Sequence, residues 1–382
     1  MNSIILQQPG KIVFGENSVL QIADDNLIQS SKRILFLVAS PLLNAVQPVW
    51  DKISSTDKQV VVIEYNFPGE PTFVQFDTLL NKSDYFRPDC IVGVGGGSVL
   101  DCAKLLAALT ENTQRLEEVV GIGILNGRVK KLICVPTTSG TGSEMSPNAI
   151  LLNEANETKS GIISPFLVPD VCYIDPVLTA SLPASLTAET GMDALSHCIE
   201  AYTNKFAHPA VDTYALKGIE LIAANLQKAC ENGQNMEARS ALSLGSMYGG
   251  LCLGPVNTSA VHALSYGLGG KFHVSHGLAN AILMPKVLHF NMSADPKRHA
   301  EVARALGVKI EGTDEEIALA GIEKIIKISK ACGIPQRLTE IGITGEVLSE
   351  LADIAMNVTR LLKNNPREVT KEDAIEIYKK LM

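Results

Sequence analysis

The chain has 382 residues, of which 46% are hydrophobic and 19% charged, and its formal net charge is −8. This balance is typical of a folded globular protein and excludes a mostly disordered chain. No lysine- and arginine-rich run with interleaved aromatic residues is present, and no apolar run approaches the roughly 20 residues of a spanning helix, so we expect neither nucleic-acid nor membrane partners.

The N-terminal part alternates short β-branched runs, at 33–38, 60–63, 90–94 and 132–135, with stretches long enough for a crossover helix. This alternation predicts a doubly wound parallel sheet. From about Thr187 onward the periodicity is helical and no convincing strand appears. We therefore predict an α/β dinucleotide-binding domain over residues 1–178 and an all-α metal-binding domain over residues 179–382. Pro176 and Pro183 support a boundary in this region, because the residue before a proline resists helix.

Two polar turns follow strands of the predicted sheet. Gly93–Ser98 comes after the third run and opens into a helix, so its backbone N–H groups and the helix dipole favour a phosphate. Ser98 replaces the last glycine of the standard dinucleotide fingerprint, and a plain tight turn is the alternative. Pro136–Ser143 follows the fourth run with several hydroxyl groups. Two such turns at one carboxyl edge favour a nucleotide crevice.

The eight cysteines form no CxxC pair, and most lie inside apolar runs. We interpret them as reduced core residues. The first residues, MNSIILQQPGK, lack the pattern of a signal peptide. Both observations predict a cytoplasmic protein.

The helical part carries a possible metal site. Asp193 and His197 are four residues apart, so a carboxylate and an imidazole lie on one helix face. A simple hydrogen bond between them is the alternative. His262 and His276 lie among small and apolar residues, where an unpaired imidazole is costly. One aspartate and three histidines suit Fe(II), Zn(II), Co(II) or Mn(II), and softness alone does not choose among these metals.

Several motifs in fixed order, over effectively the whole chain, resemble the iron-containing, or group III, alcohol dehydrogenases. They are GGGS at 95–98, PTTSGTGSE at 136–144, GMDALSHCIEAY at 191–202, VHALSY at 261–266 with SHG at 275–277, and NNPREVT at 364–370. The resemblance implies the dehydroquinate synthase-like architecture of that family and a homodimer or larger homo-oligomer. It implies Fe2+, or Zn2+ or another divalent ion, bound by Asp193, His197, His262 and His276. The cofactor is then NAD or NADP, and the substrate a small alcohol or aldehyde.

The resemblance also assigns cofactor contacts to Gly95, Gly96, Gly97, Ser98, Thr137, Thr138, Thr141, Asn148 and Lys159. Asp101 is either a further contact or a charge on a helix face. Ser40 stands where NAD-preferring relatives carry an aspartate for the ribose hydroxyls, so nothing repels a 2'-phosphate and NADP is possible. No arginine adjoins Ser40, which keeps NAD open.

The residues for proton transfer are a second point where this chain departs from the family pattern. Many members have a histidine four residues after the ligand that matches His262, whereas this chain has Tyr266. The phenol can relay a proton less readily than an imidazole at neutral pH. His273 is the other candidate, with a surface or cleft-lining histidine as the alternative interpretation.

The predicted function is hydride transfer between nicotinamide and a small alcohol, diol or hydroxy acid. One alternative is a dehydroquinate synthase-like or glycerol dehydrogenase-like enzyme that uses the same metal and NAD machinery. The other is a catalytically inactive binding module.

Overall fold

A computed structural model describes residues 3–155 and 158–382. It divides into two compact units. The sheet unit consists of Gln7–Thr138 and Ser143–Ala180. The helical unit consists of Ser181–Met382, Ser139–Gly142 and the described residues before Gln7. The domain boundary predicted after residue 178 lies two residues before the last residue of the sheet unit, and it stays a prediction for the functional domains.

The sheet unit contains nine strands among its described residues. They are β1 (Lys11–Phe14), β2 (Arg33–Ala39), β3 (Gln59–Tyr65), β4 (Cys90–Gly95), β5 (Gly121–Ile122), β6 (Lys131–Pro136), β7 (Asn148–Asn153), β8 (Thr158–Ile163) and β9 (Val171–Ile174). Six of them form one sheet in the order β1-β9-β6-β4-β2-β3, with every pair parallel. The predicted parallel sheet is thereby confirmed. A second sheet of β5, β8 and β7, with an antiparallel β7–β8 pair, was not predicted.

Four α-helices accompany these strands in the described residues: α1 (Asn26–Gln29), α2 (Leu43–Ser54), α3 (Phe73–Phe86) and α4 (Gly97–Leu109). Successive residues of β2 point to opposite faces of the sheet, as strand geometry requires. Leu35 and Leu37 join a core with α3 and α4, whereas Phe36 and Val38 join a core with α2. Both faces are thus covered, which explains why the strands are continuous apolar runs.

The helical unit has ten α-helices in its described part. They are α5 (Ala184–Tyr202), α6 (Pro209–Glu231), α7 (Met236–Leu253), α8 (Ala260–Phe272), α9 (His276–Asn291), α10 (Pro296–Ala305), α11 (Asp314–Ala331), α12 (Leu348–Met356), α13 (Thr359–Leu362) and α14 (Lys371–Lys379). One large core unites most of them, and the described residues from Ser181 onward include no strand, so the predicted helical part is confirmed. Across the described chain, no helix has both the length and the apolar character required to cross a bilayer.

Candidate active site

Four side chains from three helices meet in the helical unit. Asp193 and His197 project from neighbouring turns of α5, His262 comes from the first turn of α8, and His276 begins α9. One donor atom from each lies within 4.8 Å of the others. The Oδ1 atom of Asp193 is 3.8 Å from Nε2 of His197 and 3.6 Å from Nε2 of both His262 and His276. The four residues singled out from the sequence are therefore brought together.

This geometry fits a divalent cation. Ligands that each bind a tetrahedral ion at about 2.1 Å lie roughly 3.4 Å apart, close to the observed separations from Asp193. The side chains of Asp193, His197 and His262 are at most 6% exposed, whereas that of His276 is 28% exposed. The cluster is therefore closed by protein on one side and accessible beside His276.

The electrostatics of the cluster also favour a cation. Burial alone would raise the pKa of Asp193, but the nearby imidazoles of His197, His276 and His262 outweigh it and hold that pKa well below its usual range. Burial lowers the pKa of His197, and Asp193 only partly opposes this. Burial likewise acts to lower the pKa of His262, but Glu200 and Asp193 prevail and raise it to about 9. A bound cation must displace the proton from His262, so metal binding and proton release are coupled.

Glu200 fixes the orientation of His262. Its Oε2 atom contacts Nδ1 of His262, and since a carboxylate only accepts, Nδ1 carries the proton and Nε2 is left to bind a metal. Its Oε1 atom accepts from the backbone N–H of Ser259 at 3.0 Å, the Ser259 hydroxyl at 2.8 Å and the N–H of Val261 at 2.8 Å. Ser259 provides no side-chain cap for α8, so Glu200 supplies the missing acceptor.

Neither Glu200 nor Asn280 was predicted from the sequence as part of the site. The Nδ2 atom of Asn280 donates to Oδ1 of Asp193 at 2.8 Å and lies 3.1 Å from Nε2 of His262 and 3.2 Å from Nε2 of His276. Its buried Oδ1 atom has no hydrogen-bond partner among the described residues. Asn280 follows His276 by four residues on α9, the spacing that identified Asp193 and His197, so this signal was present in the sequence.

The two candidates for proton transfer occupy different environments. Tyr266 is half-buried one helical turn after His262, and Arg360 of α13 donates a hydrogen bond to its hydroxyl. His273 is exposed at the C-terminal cap of α8, with a left-handed φ of 54°. It is not a member of the four-residue cluster.

The glycine-rich turn lies at the carboxyl edge of the large sheet. Gly95, the last residue of β4, is in register with Pro136 of β6, and the N–H of Thr137 donates to the Gly95 carbonyl at 3.0 Å. A Cβ atom on Gly95 would lie 2.5 Å from Val99, and one on Gly96 would lie 3.3 Å from Thr138. α4 begins at Gly97 without a side-chain cap, so backbone N–H groups at its start can bind an anion. The turn therefore fits a pyrophosphate.

The other residues assigned to the cofactor are more dispersed. Thr137 and Thr138 belong to the sheet unit, whereas Thr141 belongs to the helical unit. Asn148 begins β7, and its buried Oδ1 atom lacks a hydrogen-bond partner among the described residues. The side chain of Lys159 on β8 is almost fully buried and pairs with Glu70 at 2.5 Å.

Three further predicted residues make contacts inside the sheet unit. Asp101 accepts from the Ser143 hydroxyl at 2.5 Å and from the N–H of Ile150 at 2.8 Å, so both of its oxygens bind protein groups. The hydroxyl of Ser98 donates to the Gly69 carbonyl at 3.3 Å. The hydroxyl of Ser40 donates to the Tyr65 carbonyl at 3.1 Å, directly after β2 ends. Their roles toward a cofactor stay predictions.

The sheet unit is doubly wound and has a glycine-rich turn suited to a phosphate. The helical unit carries one carboxylate and three imidazoles around one point. These two features are typical of a metal-dependent, nicotinamide-linked oxidoreductase. The sequence profile described as iron-containing alcohol dehydrogenase matches residues 9–176. The profile of the C-terminal part of the Fe-containing alcohol dehydrogenase family matches residues 187–382. The chain belongs to the iron-containing alcohol dehydrogenase family.

Individual relatives agree with this assignment. A 1,3-propanediol dehydrogenase of Klebsiella pneumoniae is 36% identical over 375 residues, which cover 97% of each protein. The crystal structure of a 1,3-propanediol oxidoreductase superposes with a TM-score of 0.95 at 30% identity over the full length of both chains. The structure of sulfoacetaldehyde reductase from Bifidobacterium kashiwanohense in complex with NAD+ has a TM-score of 0.88 at 26% identity, covering 100% of this chain and 99% of its own.

The family assignment confirms the predicted class of function. The protein is a member of a family of nicotinamide-linked, metal-dependent alcohol and aldehyde oxidoreductases. This favours the alcohol dehydrogenase interpretation over a dehydroquinate synthase-like enzyme, a glycerol dehydrogenase-like enzyme or an inactive binding module.

Proposed function

We propose that the chain is an alcohol dehydrogenase and aldehyde reductase that uses Fe2+ and accepts NAD or NADP, with Zn2+ or another divalent ion as a possible substitute. The observation that carries this proposal is the convergence of Asp193, His197, His262 and His276 within 4.8 Å. In this proposal those four residues hold the metal.

A bound cation supplies a Lewis acid that withdraws electron density from the alcohol or carbonyl oxygen of the substrate. The protein's contribution is orientation. Glu200 holds His262 in the tautomer that leaves Nε2 available, and the turn at Gly95–Ser98 with its helix N-terminus holds the cofactor pyrophosphate. The reaction then moves a hydride from the carbinol carbon to C4 of the oxidised nicotinamide, while the hydroxyl proton leaves to a protein group or water.

Tyr266 is the better supported candidate for proton transfer. It lies four residues after His262 and therefore on the same face of α8, and its hydroxyl is fixed by Arg360. His273 is exposed on the cap beyond the helix. If Tyr266→Phe changes the pH dependence of kcat and His273→Ala does not, the relay runs through Tyr266; the opposite result assigns it to His273.

The names of the relatives indicate only a general class of substrate. Propanediol is named for the dehydrogenase of Klebsiella pneumoniae and sulfoacetaldehyde for the reductase of Bifidobacterium kashiwanohense. Both names describe short substrates with a polar group at the far end. We therefore propose a small alcohol, diol or hydroxy acid, or the corresponding carbonyl compound, for this chain.

The proposal is tested by metal analysis and reconstitution. Purified protein is analysed for iron and zinc, dialysed against a chelator, and assayed with NADH and NADPH on a panel of short aldehydes before and after anaerobic addition of Fe2+ or Zn2+. We expect activity to be lost with the metal and to return best with Fe2+. Full activity of metal-free protein would refute the assignment of the four ligands.

We also propose a homodimer or larger homo-oligomer and a cytoplasmic location. The resemblance to the family supports the first. The second rests on the eight cysteines, all of which are free thiols, as is typical of proteins in a reducing compartment. Light scattering on the purified protein tests the oligomeric state.

A further inference from the structure

Arg360 places a positive charge next to the helix that carries His262. It belongs to α13, which packs against α8. Its guanidinium donates a hydrogen bond to the Tyr266 hydroxyl, and its Cζ atom lies 5.7 Å from the centre of the Tyr266 ring. Tyr266 follows His262 by one helical turn, so about 6 Å along α8 separates the arginine-bound tyrosine from the candidate metal ligand.

The charge of Arg360 is not neutralised by the protein. The side chain is half-buried, and among the ion pairs of residues 3–155 and 158–382 none involves Arg360. A guanidinium offers five N–H donors in a planar fork, and the hydrogen bond to Tyr266 is its only one with a described residue. A partly desolvated arginine with unused donors is suited to bind a carboxylate through two parallel hydrogen bonds.

The segment around Arg360 is held firmly to the start of α8. Asn364 donates to the carbonyl of Thr258 at 2.9 Å, and the Asn364 carbonyl accepts from the N–H of Lys205 at 2.8 Å. Gly267 of α8 allows α12, the helix before α13, to pack closely, because a Cβ atom there would lie 2.7 Å from Leu351. The position of Arg360 relative to His262 is thus set by packed backbone and not by a loose loop.

We propose that Arg360 binds the anionic end of the substrate, which makes the preferred substrate a short ω-oxo or ω-hydroxy carboxylic acid. This inference rests on the proposed function, because the oxygen at the other end of the molecule must lie at the four-residue cluster. In the reductive direction the nicotinamide hydride goes to the carbonyl carbon and one proton goes to its oxygen. The carboxylate takes no part in the chemistry and serves only to orient the molecule along α8.

The test compares a charged and a neutral aldehyde of the same chain length. The metal-loaded enzyme is assayed for kcat/KM on 4-oxobutanoate and on butanal, and binding of 4-hydroxybutanoate and 1-butanol is measured by calorimetry. The variants are Arg360→Met, which keeps length without charge, and Arg360→Lys, which keeps charge without the fork. Arg367→Met is the matched control, because Arg367 also lies over an aromatic ring, 3.9 Å from the centre of Phe290.

We expect the wild type to prefer 4-oxobutanoate to butanal. Arg360→Met should lower the ratio of kcat/KM for 4-oxobutanoate over butanal by about tenfold or more, the loss typical of one charged hydrogen bond. Arg360→Lys should retain part of the preference and Arg367→Met all of it. Binding of 4-hydroxybutanoate should weaken in parallel. Circular dichroism and Tm establish that each variant is folded.

Two results overturn the inference in distinguishable ways. If the wild type reduces butanal and Arg360→Met leaves the ratio unchanged, the anion site is refuted while the proposed function stands. If the metal-loaded wild type reduces neither these aldehydes nor any other short aldehyde with either nicotinamide, the proposed function fails and this inference fails with it.

Discussion

The carboxylate of Glu200 on α5 contacts Nδ1 of His262 on α8 and accepts three hydrogen bonds at the start of the same helix. One buried side chain therefore both caps a helix and orients a candidate metal ligand that the helix carries. Since α5 also supplies Asp193 and His197, Glu200 ties the position of His262 to the other two ligands. The geometry of the cluster thus depends on a residue that would not itself touch the metal.

Replacement of Glu200 should weaken metal binding. Glu200→Ala removes the acceptor that fixes the tautomer of His262, and loss of such a partner typically lowers metal affinity about 10- to 100-fold. It also leaves the buried donors of Ser259 and Val261 unsatisfied, at a cost of about 1–3 kcal/mol each. Metal affinity is measured by competition with a coloured chelator, and the absorption spectrum of the Co(II)-loaded protein reports the ligand geometry.

Glu301→Gln is the control for this substitution. Glu301 accepts a hydrogen bond from the Tyr202 hydroxyl but is not a member of the cluster, so its replacement should leave metal affinity and the Co(II) spectrum unchanged. If Glu200→Ala lowers Tm yet binds metal with wild-type affinity, Glu200 is a helix cap only.

The sequence predicted the candidate ligands better than the residues that support them. Asp193 and His197 are four apart on one helix, and a period of four is visible in a linear sequence. Asn280 shares that spacing with His276, but an amide is a less common partner in a metal site than a carboxylate or an imidazole, so the spacing alone did not identify it. The contact between Glu200 and His262 joins positions 62 residues apart, so only the three-dimensional structure reveals it.

Prediction of the strands from the sequence has the same limit, because pairings between distant segments are not visible in it. Apolar runs identified β2, β3, β4 and β6. The runs of β2, β4 and β6 are continuous because these strands are buried on both faces, whereas β3 lies at the edge of the sheet and is only partly buried. β1 and β9 have four residues each, too few for a pattern, although they pair with each other in the sheet. The antiparallel partners β7 and β8 include polar and glycine residues and are recognised only through their mutual register.

Glu144 should make the stability of the protein depend on pH. Burial raises its pKa from the usual 4.5 to about 7, and a backbone hydrogen bond and the charge of Lys104 oppose this only in part. The folded state therefore holds the proton more tightly than the unfolded chain, and stability falls as pH rises from about 4.5 to 7. Glu144→Gln removes this penalty and should stabilise the fold by about 2 kcal/mol more at pH 8 than at pH 5.

Thermal unfolding at the two pH values tests this expectation. Glu64→Gln is the control, because Glu64 lies exposed on β3 of the same unit and its replacement should have the same small effect at both values. An equal change in Tm at pH 5 and pH 8 for Glu144→Gln would contradict the raised pKa.

Gly95→Ala should weaken cofactor binding. The new methyl group would lie 2.5 to 2.6 Å from Val99 in the first turn of α4, so the start of that helix must shift. Overpacking of this kind costs about 1–3 kcal/mol. If half of this cost falls on binding, the affinity for NADH should fall by about 2- to 13-fold. Fluorescence titration with NADH measures the loss. Gly127→Ala, where a Cβ atom meets nothing within 4 Å, should bind NADH normally.

Ser40→Asp should increase the preference of the enzyme for NAD over NADP. Ser40 follows the last residue of β2, the position that the family resemblance assigns to the ribose hydroxyls of the cofactor. An aspartate there repels the 2'-phosphate of NADP and accepts a hydrogen bond from the 2'-hydroxyl of NAD, so the ratio of kcat/KM for NADPH over NADH should fall by about tenfold or more. Ser54→Asp adds the same charge at the far end of α2 and should leave the ratio unchanged. If Ser40→Asp does not alter the ratio, the ribose lies elsewhere and the assignment of Ser40 is wrong.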